Sequence, residues 1–247
     1  MFRSQEVLDY IEERLRDTWS PEQIACTPCE LKMPSWRTIY RWICEKYLVN
    51  GDLKVLRRKG KSHGVRETRG KYSKGKSIRK RDRSVYSRQE AGHWEANTVV
   101  SGQGKSKACF ATLAERKTRF YIAVKMPDRR AATMENAIVA ALSAFPPQLV
   151  KTITCDRGTE FANWRRIEER LHCEVYFADP YCAWQKGTNE NLNGLLREFY
   201  PKGRNLSRVA PATLKRNLAL LNARPRKVLN FRSAKESWDF ELNSCCT

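Results

Sequence analysis

Two carboxylates in this chain stand where acid–base or metal chemistry could be done. Asp156 directly follows the apolar run 150–155 and precedes Arg157-Gly158-Thr159-Glu160. A carboxylate at the C-terminal end of a strand, followed by a glycine that frees the next turn, is where α/β enzymes place ligands. Taken alone, an Asp-x-Gly is more commonly a turn former or helix N-cap. Glu190 lies in Gly187-Thr-Asn-Glu-Asn-Leu-Asn-Gly194. A helix over about 186–199 buries Leu192, Leu195, Leu196 and Phe199. It sets Lys186, Glu190, Asn193 and Arg197 along a different, polar face at i, i+4, i+7 and i+11. A carboxylate among amides and cations suits a metal and a phosphate backbone, with Lys186 and Arg197 as DNA contacts. For Glu190 by itself an exposed, salt-bridged face is the better reading.

The elements that must carry these residues begin at Gly92. Strands are expected at 94–100, 107–114 and 118–125, the last two joined by a turn at Glu115-Arg-Lys-Thr. A helix with Met134, Ile138, Ala141, Leu142 and Phe145 on one stripe stops at Pro146-Pro147. Strand 150–155, a helix near 160–171 and strand 174–178 follow. The order predicts an α/β domain, a mixed sheet of RNase H-like kind flanked by helices, over 91–247.

Residues 1–50 read as a small helical segment. Val7, Leu8, Ile11 and Leu15 form one stripe, Ser20-Pro-Glu-Gln23 is a capped helix start, and Ser35 opens a helix with Ile39, Tyr40, Trp42 and Ile43. The last two suggest a helix-turn-helix-like unit that would present Arg37 and Arg41 to DNA; a three-helix packing module is the equal alternative. Residues 51–90 read as a basic linker: 54–88 hold 15 Lys/Arg and two acids, +13 of the chain's +20. Arg57, Arg58 and Lys59 would neutralise phosphates there, the alternative being a solvated tether.

The whole-chain numbers agree with a polyanionic partner. The charge of +20 over 247 residues points to nucleic acid, and 41% hydrophobic residues suffice for a sizeable core. No stretch approaches the ~18 apolar residues of a membrane span, and residues 1–10 lack a secretory apolar region. Nine irregularly spaced cysteines fit reduced thiols, so a cytoplasmic, nucleoid-associated protein is expected. Cys26-x-x-Cys29 is at most half a zinc site.

Several longer motifs resemble a known family. Gly92-His-Trp-Glu-Ala-Asn-Thr-Val-Val100, Glu115-Arg-Lys-Thr-Arg119, Cys155-Asp-Arg-Gly-Thr-Glu160, Trp184-Gln-Lys-Gly-Thr-Asn-Glu-Asn191 and Leu221-Asn-Ala-Arg-Pro-Arg-Lys227 occur in the order seen in transposases of the insertion-sequence-thirty type. The resemblance covers most of 91–240 and implies a retroviral-integrase-like catalytic core that cleaves and transfers DNA strands. It also implies an Asp-Asp-Glu triad holding two Mg²⁺ (or Mn²⁺) ions about 3.5–4 Å apart, double-stranded DNA as element end and target, and self-association on DNA. Asp156 and Glu190, 34 positions apart, match the second and third triad members and would be metal ligands. Asn97 stands where the family has the first Asp. A neutral amide cannot bridge two hard cations as a carboxylate does, so cleavage is expected to be weakened by several orders of magnitude. Glu95 faces the same side of the strand but sits one strand repeat away. Family members carry a further helix-turn-helix segment upstream, so the chain reads as an N-terminally shortened copy. The alternative function is a non-catalytic DNA-binding protein that represses transposition.

Overall fold

The computed structural model describes residues 4–56, 75–179 and 182–245, and these fall into two compact units. The first holds 4–56 together with 223–236. Its helices α1 (Gln5–Arg16), α2 (Pro21–Cys26) and α3 (Trp36–Cys44) begin at Ser4, Ser20 and Ser35, whose hydroxyls each accept a backbone N–H of the first turn. At α2, Gln23 completes a capping box. Val7, Ile11, Leu15, Ile24, Ile39, Trp42 and Ile43 form one buried cluster. Residues 27–35 separate α2 from α3, a longer connection than the three- or four-residue turn of a tight helix-turn-helix.

The second unit is built on a mixed six-stranded sheet. In chain order it contains β1 (Lys76–Ser77), β2 (His93–Val100), β3 (Cys109–Glu115), β4 (Tyr121–Met126), α4 (Ala131–Leu142), β5 (Thr152–Cys155), α5 (Trp164–Leu171), β6 (Glu174–Phe177), α6 (Gly187–Phe199), α7 (Pro211–Ala223) and α8 (Ala234–Cys245). The strands lie in the order β1-β6-β5-β2-β3-β4. β2, β3 and β4 form an antiparallel meander, while β1, β6, β5 and β2 run parallel. This is the RNase H-like mixed sheet that the order of elements predicts.

Alternation along each strand sends residues to two separate cores. Trp94, Ala96, Ile153 and Cys155 pack with Met134, Ile138 and Leu142 of α4 and Ile167 of α5. Trp238 of α8 joins that side, its ring centroid 5.3 Å from Trp94, 5.2 Å from Phe120 and 5.0 Å from Phe145. Val99, Phe110 and Tyr121 face the other way, onto Leu192, Leu195 and Leu196 of α6 and Leu214 and Leu221 of α7.

Two boundaries differ from the sequence expectation. Residues 75–88, read as the end of a basic linker, are built into the sheet unit. β1 pairs with the edge of β6 at Lys76↔Tyr176 and Ser77↔Phe177, and Ile78 and Val85 are buried. Those two apolar residues, easily lost among twelve neighbours dominated by charge, decide the outcome. Likewise 223–236 cluster with the N-terminal helices rather than with the core expected over 91–247. Arg224 is buried and donates to Thr18 Oγ1 at 2.8 Å, and Lys227 pairs with Glu22 at 2.7 Å. Arg57, Arg58 and Lys59 lie outside the described residues.

Candidate functional site

Asn97 lies on β2, and Asp156 follows β5, the strand paired with it. Glu95, Asn97 and Val99 share the face of β2 that looks toward α6, as the contacts of Glu95 and Val99 show. β2 and β5 pair in parallel at Trp94↔Ile153 and Glu95↔Thr154. The pairing ends there; Asn97 is two residues further along β2, and Asp156 follows the last residue of β5. Asp156 is partly exposed, and its Oδ1 accepts the Gly158 N–H at 3.1 Å. A Cβ at Gly158 would displace the Glu160 carboxylate and lie 3.0 Å from Asp156 Oδ1. Glu160 is itself buried, accepting from Thr98 Oγ1 at 3.0 Å with Arg129 Nε 3.7 Å away.

Lys186 ties Asp156 to the backbone of β2. Its buried ammonium lies 3.4 Å from Asp156 Oδ2 and donates to the Ala96 carbonyl at 3.4 Å. The Asn97 amide oxygen turns back on its own strand and accepts the Thr98 N–H at 2.8 Å.

The start of α6 is held to the sheet by a buried polar network. Asn189, fully buried, donates its backbone N–H to Glu95 Oε2 at 2.8 Å and its amide to the carbonyls of Glu95 and Thr112 at 2.6 and 3.1 Å. Thr112 Oγ1 returns a bond to its amide oxygen at 3.2 Å. Glu95 in turn pairs with the buried Arg116 guanidinium. Arg116 and Arg119 bracket the β3–β4 turn, where Arg119 takes a left-handed φ of 64°. Its guanidinium donates to Thr188 Oγ1 at 3.0 Å, and burial, with Arg88 nearby, lowers its pKa to about 10. Glu115 organises the turn: it accepts from Thr118 N and Oγ1 at 2.6 and 2.7 Å and from Gly92 N at 3.2 Å. Burial pushes the Glu115 carboxyl above its usual range although these bonds pull the other way. Gly92 has φ +99°, and a Cβ there would meet the Gln148 carbonyl at 2.9 Å.

Sequence reasoning missed Asn189, Arg116 and Arg119 as the residues that seat α6. All three stand inside the quoted motifs, but nothing local distinguishes a buried arginine from a surface one. Glu95, weighed as a substitute ligand, is wholly buried in its pair with Arg116.

The expected polar face of α6 is only partly a face. Lys186 precedes the helix in a short 3₁₀ turn. Asn193 accepts from Tyr121 Oη at 2.6 Å, and Arg197 donates to the carbonyls of Val100 and Tyr200 at 3.1 and 3.3 Å. These side chains fold onto the end of β2 and onto β4, because the helix crosses strand ends whose carbonyls need donors. Glu190 is exposed in the first turn of α6 and makes no hydrogen bond or ion pair among the described residues.

The donor set does not make a seat for two divalent cations. Asn97 offers one neutral oxygen already engaged by its own backbone. Asp156 has an ammonium against one oxygen and a backbone N–H on the other. Among the described residues no three Asp, Glu, His or Cys side chains converge.

In the helical unit, α3 exposes Arg37 and Arg41 together with Trp36 and Tyr40. The Arg37 guanidinium lies 5.0 Å over the Trp36 ring. Cations interleaved with aromatics suit a nucleic-acid backbone and its bases. Among the described residues no helix is long and apolar enough to cross a membrane.

A three-stranded meander extended in parallel by β5 and β6, with an acid at the end of the strand beside β2 and a helix laid across that face, defines an integrase-type core. The integrase core domain family matches residues 87–183. The catalytic core domain of BIV integrase, a solved structure, is 15% identical, with a TM-score of 0.49 over 64% of this chain and 99% of that one. Transposase InsI of insertion sequence element IS30A from Escherichia coli (strain K12) is 34% identical over 240 residues, 91% of this chain and 62% of that protein. The probable transposase of IS1161 from Streptococcus salivarius is 33% identical over 211 residues, 84% of this chain and 59% of that one. The transposase of IS4351 from Bacteroides fragilis is 34% identical over 93% of this chain and 72% of its own length. The chain belongs to the IS30-type family of insertion-sequence transposases. It spans about three fifths of the length of the first two of these relatives.

Proposed function

We propose that this chain binds the DNA of an insertion sequence as a transposase core whose own strand cleavage is impaired. One observation carries the proposal: Asn97, on the strand that pairs with β5 ahead of Asp156, is an amide. In the triad that the family resemblance implies, Asn97, Asp156 and Glu190 are the three positions. Asp156 and Glu190 would be left as the metal ligands for Mg²⁺ or Mn²⁺, with a third of the ligand charge missing. Arg37 and Arg41, with Arg57, Arg58 and Lys59 of the basic stretch, would contact DNA phosphates. Lys186 and Arg197 would act from within, steadying the strand end and Asp156. More than one copy would assemble on a pair of element ends, on the bacterial nucleoid.

Cleavage of labelled element ends in Mg²⁺ or Mn²⁺, by the chain as it stands and by Asn97→Asp, tests this. The expected result is a gain of at least about a hundredfold in the Asp variant, the scale of a restored metal-held nucleophile. Equal rates would overturn the impairment. The second reading, a DNA-binding repressor of transposition, is favoured by Lys186, which neutralises Asp156 without any metal. Binding to element ends with no cleavage by either protein is its expected outcome.

A further inference from the structure

One large ring beside the site stands in water. Trp184 is 72% exposed, whereas Trp94 and Trp238 of the same unit are buried. Aromatic rings of this size are the main apolar payload of cores and interfaces, so a ring held outward asks for a reason.

The chain that carries Trp184 is anchored on its C-terminal side. Trp184 lies in the 3₁₀ turn Ala183–Lys186, and the two residues after it, Gln185 and Lys186, are both buried. Gln185 grips Asp179, the second residue beyond β6, with two bonds. Its Oε1 accepts the Asp179 N–H at 2.7 Å, and its Nε2 donates to Asp179 Oδ2 at 3.2 Å. The Gln185 N–H donates to the Cys182 carbonyl at 3.0 Å, and the Gly187 N–H to the Trp184 carbonyl. Lys186 reaches Asp156 Oδ2 and the Ala96 carbonyl, both at 3.4 Å. With residues 185 and 186 drawn onto the strand ends, residue 184 is left facing solvent. Two residues of trans chain keep the Cα atoms of Trp184 and Lys186 within about 7 Å of each other. The exposed ring is thus tethered close to Asp156.

Two guanidiniums are fixed at the same strand end. Arg79 Nε is 3.0 Å from Asp179 Oδ2, the oxygen that Gln185 also uses, and 81% of the Arg79 side chain is open to solvent. Arg157, next to Asp156, donates from Nε to the Ala178 carbonyl at 3.1 Å. An aromatic face with cations alongside is the combination that holds single-stranded nucleic acid: the ring stacks on a base and the cations meet phosphates. A protein partner asks instead for a contiguous apolar patch, and the residues that follow the ring are polar. A base inside a duplex is already stacked on both faces, so the ring fits one that is unpaired.

We propose that Trp184 stacks on an unpaired base of the DNA strand whose backbone lies at Asp156, with Arg79 and Arg157 toward the adjoining phosphates. Trp184 holds the strand and takes no part in bond making. The proposal deepens the reading of the chain as a DNA-handling core and rests on it.

Binding of a fluorescent single-stranded oligonucleotide, a fully paired duplex and a duplex with a single-stranded flank is compared for the full chain, Trp184→Ala, Trp184→Leu, Trp184→Phe and Phe240→Ala. Phe240, 65% exposed on α8, controls for the loss of an exposed apolar side chain elsewhere. Trp184→Ala and Trp184→Leu are expected to weaken binding of the single strand and the flanked duplex by roughly fivefold to a hundredfold, the scale of one lost base stack. The salt slope should not change, because no phosphate contact is removed. Trp184→Phe should keep most of the affinity, and Phe240→Ala and the fully paired duplex should show no effect. The fluorescence of 2-aminopurine, placed at successive positions of the flank, should be quenched by the full chain and not by Trp184→Leu. Urea unfolding should be the same for all, since the ring lies in water in the fold. If the single strand binds the full chain and Trp184→Ala equally, the stacking seat is wrong and the DNA reading stands. If Trp184→Leu binds and quenches as the full chain does, the side chain acts by its apolar bulk and the stack falls. If Trp184→Ala instead turns a dimer into a monomer in sedimentation with DNA affinity unchanged, a second copy covers the ring and the proposal is overturned. If the full chain binds none of the three DNAs, the DNA reading and the stack fall together.

Discussion

His93 shows how one buried ring ties the site strand to pH. Its two nitrogens face Thr152 Oγ1 at 2.9 Å and Glu90 Oε2 at 3.3 Å. Burial depresses its pKa below the ordinary 6.5, against the pull of Glu90. A depressed folded value means that the neutral ring supports the fold above the unfolded pKa. That support is lost as pH falls through the folded value. Thermal midpoints measured from pH 7 down to pH 5 should therefore drop more steeply for the natural chain than for His93→Gln. Parallel curves would show that the ring does not contribute. At the same scale, the motifs singled out Asp156 and Asn97. The ammonium beside Asp156 was not legible there, because the partner of Lys186 is set by the path of the chain into α6 rather than by its neighbours in sequence.

The element that depends most on tertiary contacts is α6. Its N-terminus has no side-chain cap. Instead, its second residue, Thr188, and its third, Asn189, are held from the sheet by Arg119, Glu95 and Thr112. Arg116→Met would leave Glu95 buried without its partner, and a loss of about 3–5 kcal/mol in urea unfolding is expected. Adding Glu95→Gln should recover part of that loss, since the uncompensated charge is gone; no recovery would mean that packing rather than charge sets the cost. Strands β2 to β6 and helices α4 and α6 were all foreseen from periodicity within a few residues. The short β1 was not, because two residues give no alternation to read. Nor was the break ahead of α5, where the helix expected near 160–171 divides into a 3₁₀ turn at Thr159–Phe161 and α5 itself.

Across the whole molecule, charge is the property most open to test. Residues 57–74 contain eight Lys/Arg and one acid. Deleting them, while keeping Ile78 and Val85 in place, should flatten the dependence of DNA affinity on salt. An unchanged slope would leave that stretch as a spacer. A deletion extended through residue 88 should instead unfold the edge of the sheet, since it removes β1 and the buried Ile78, Arg81 and Val85. The charge pattern blurred this boundary: a run of cations hides the two apolar residues that fold it.

The aromatic group around Trp238 has a consequence for synthesis. Trp94 stacks on Phe145, but the Trp238 ring that also packs on it arrives well over a hundred residues after it. A chain emerging from the ribosome must therefore hold an unfinished interior open through most of translation. Such distant pairings fold slowly and leave apolar surface bare meanwhile. Any product that stops short of α8 would be drawn to chaperones and proteases before it met DNA.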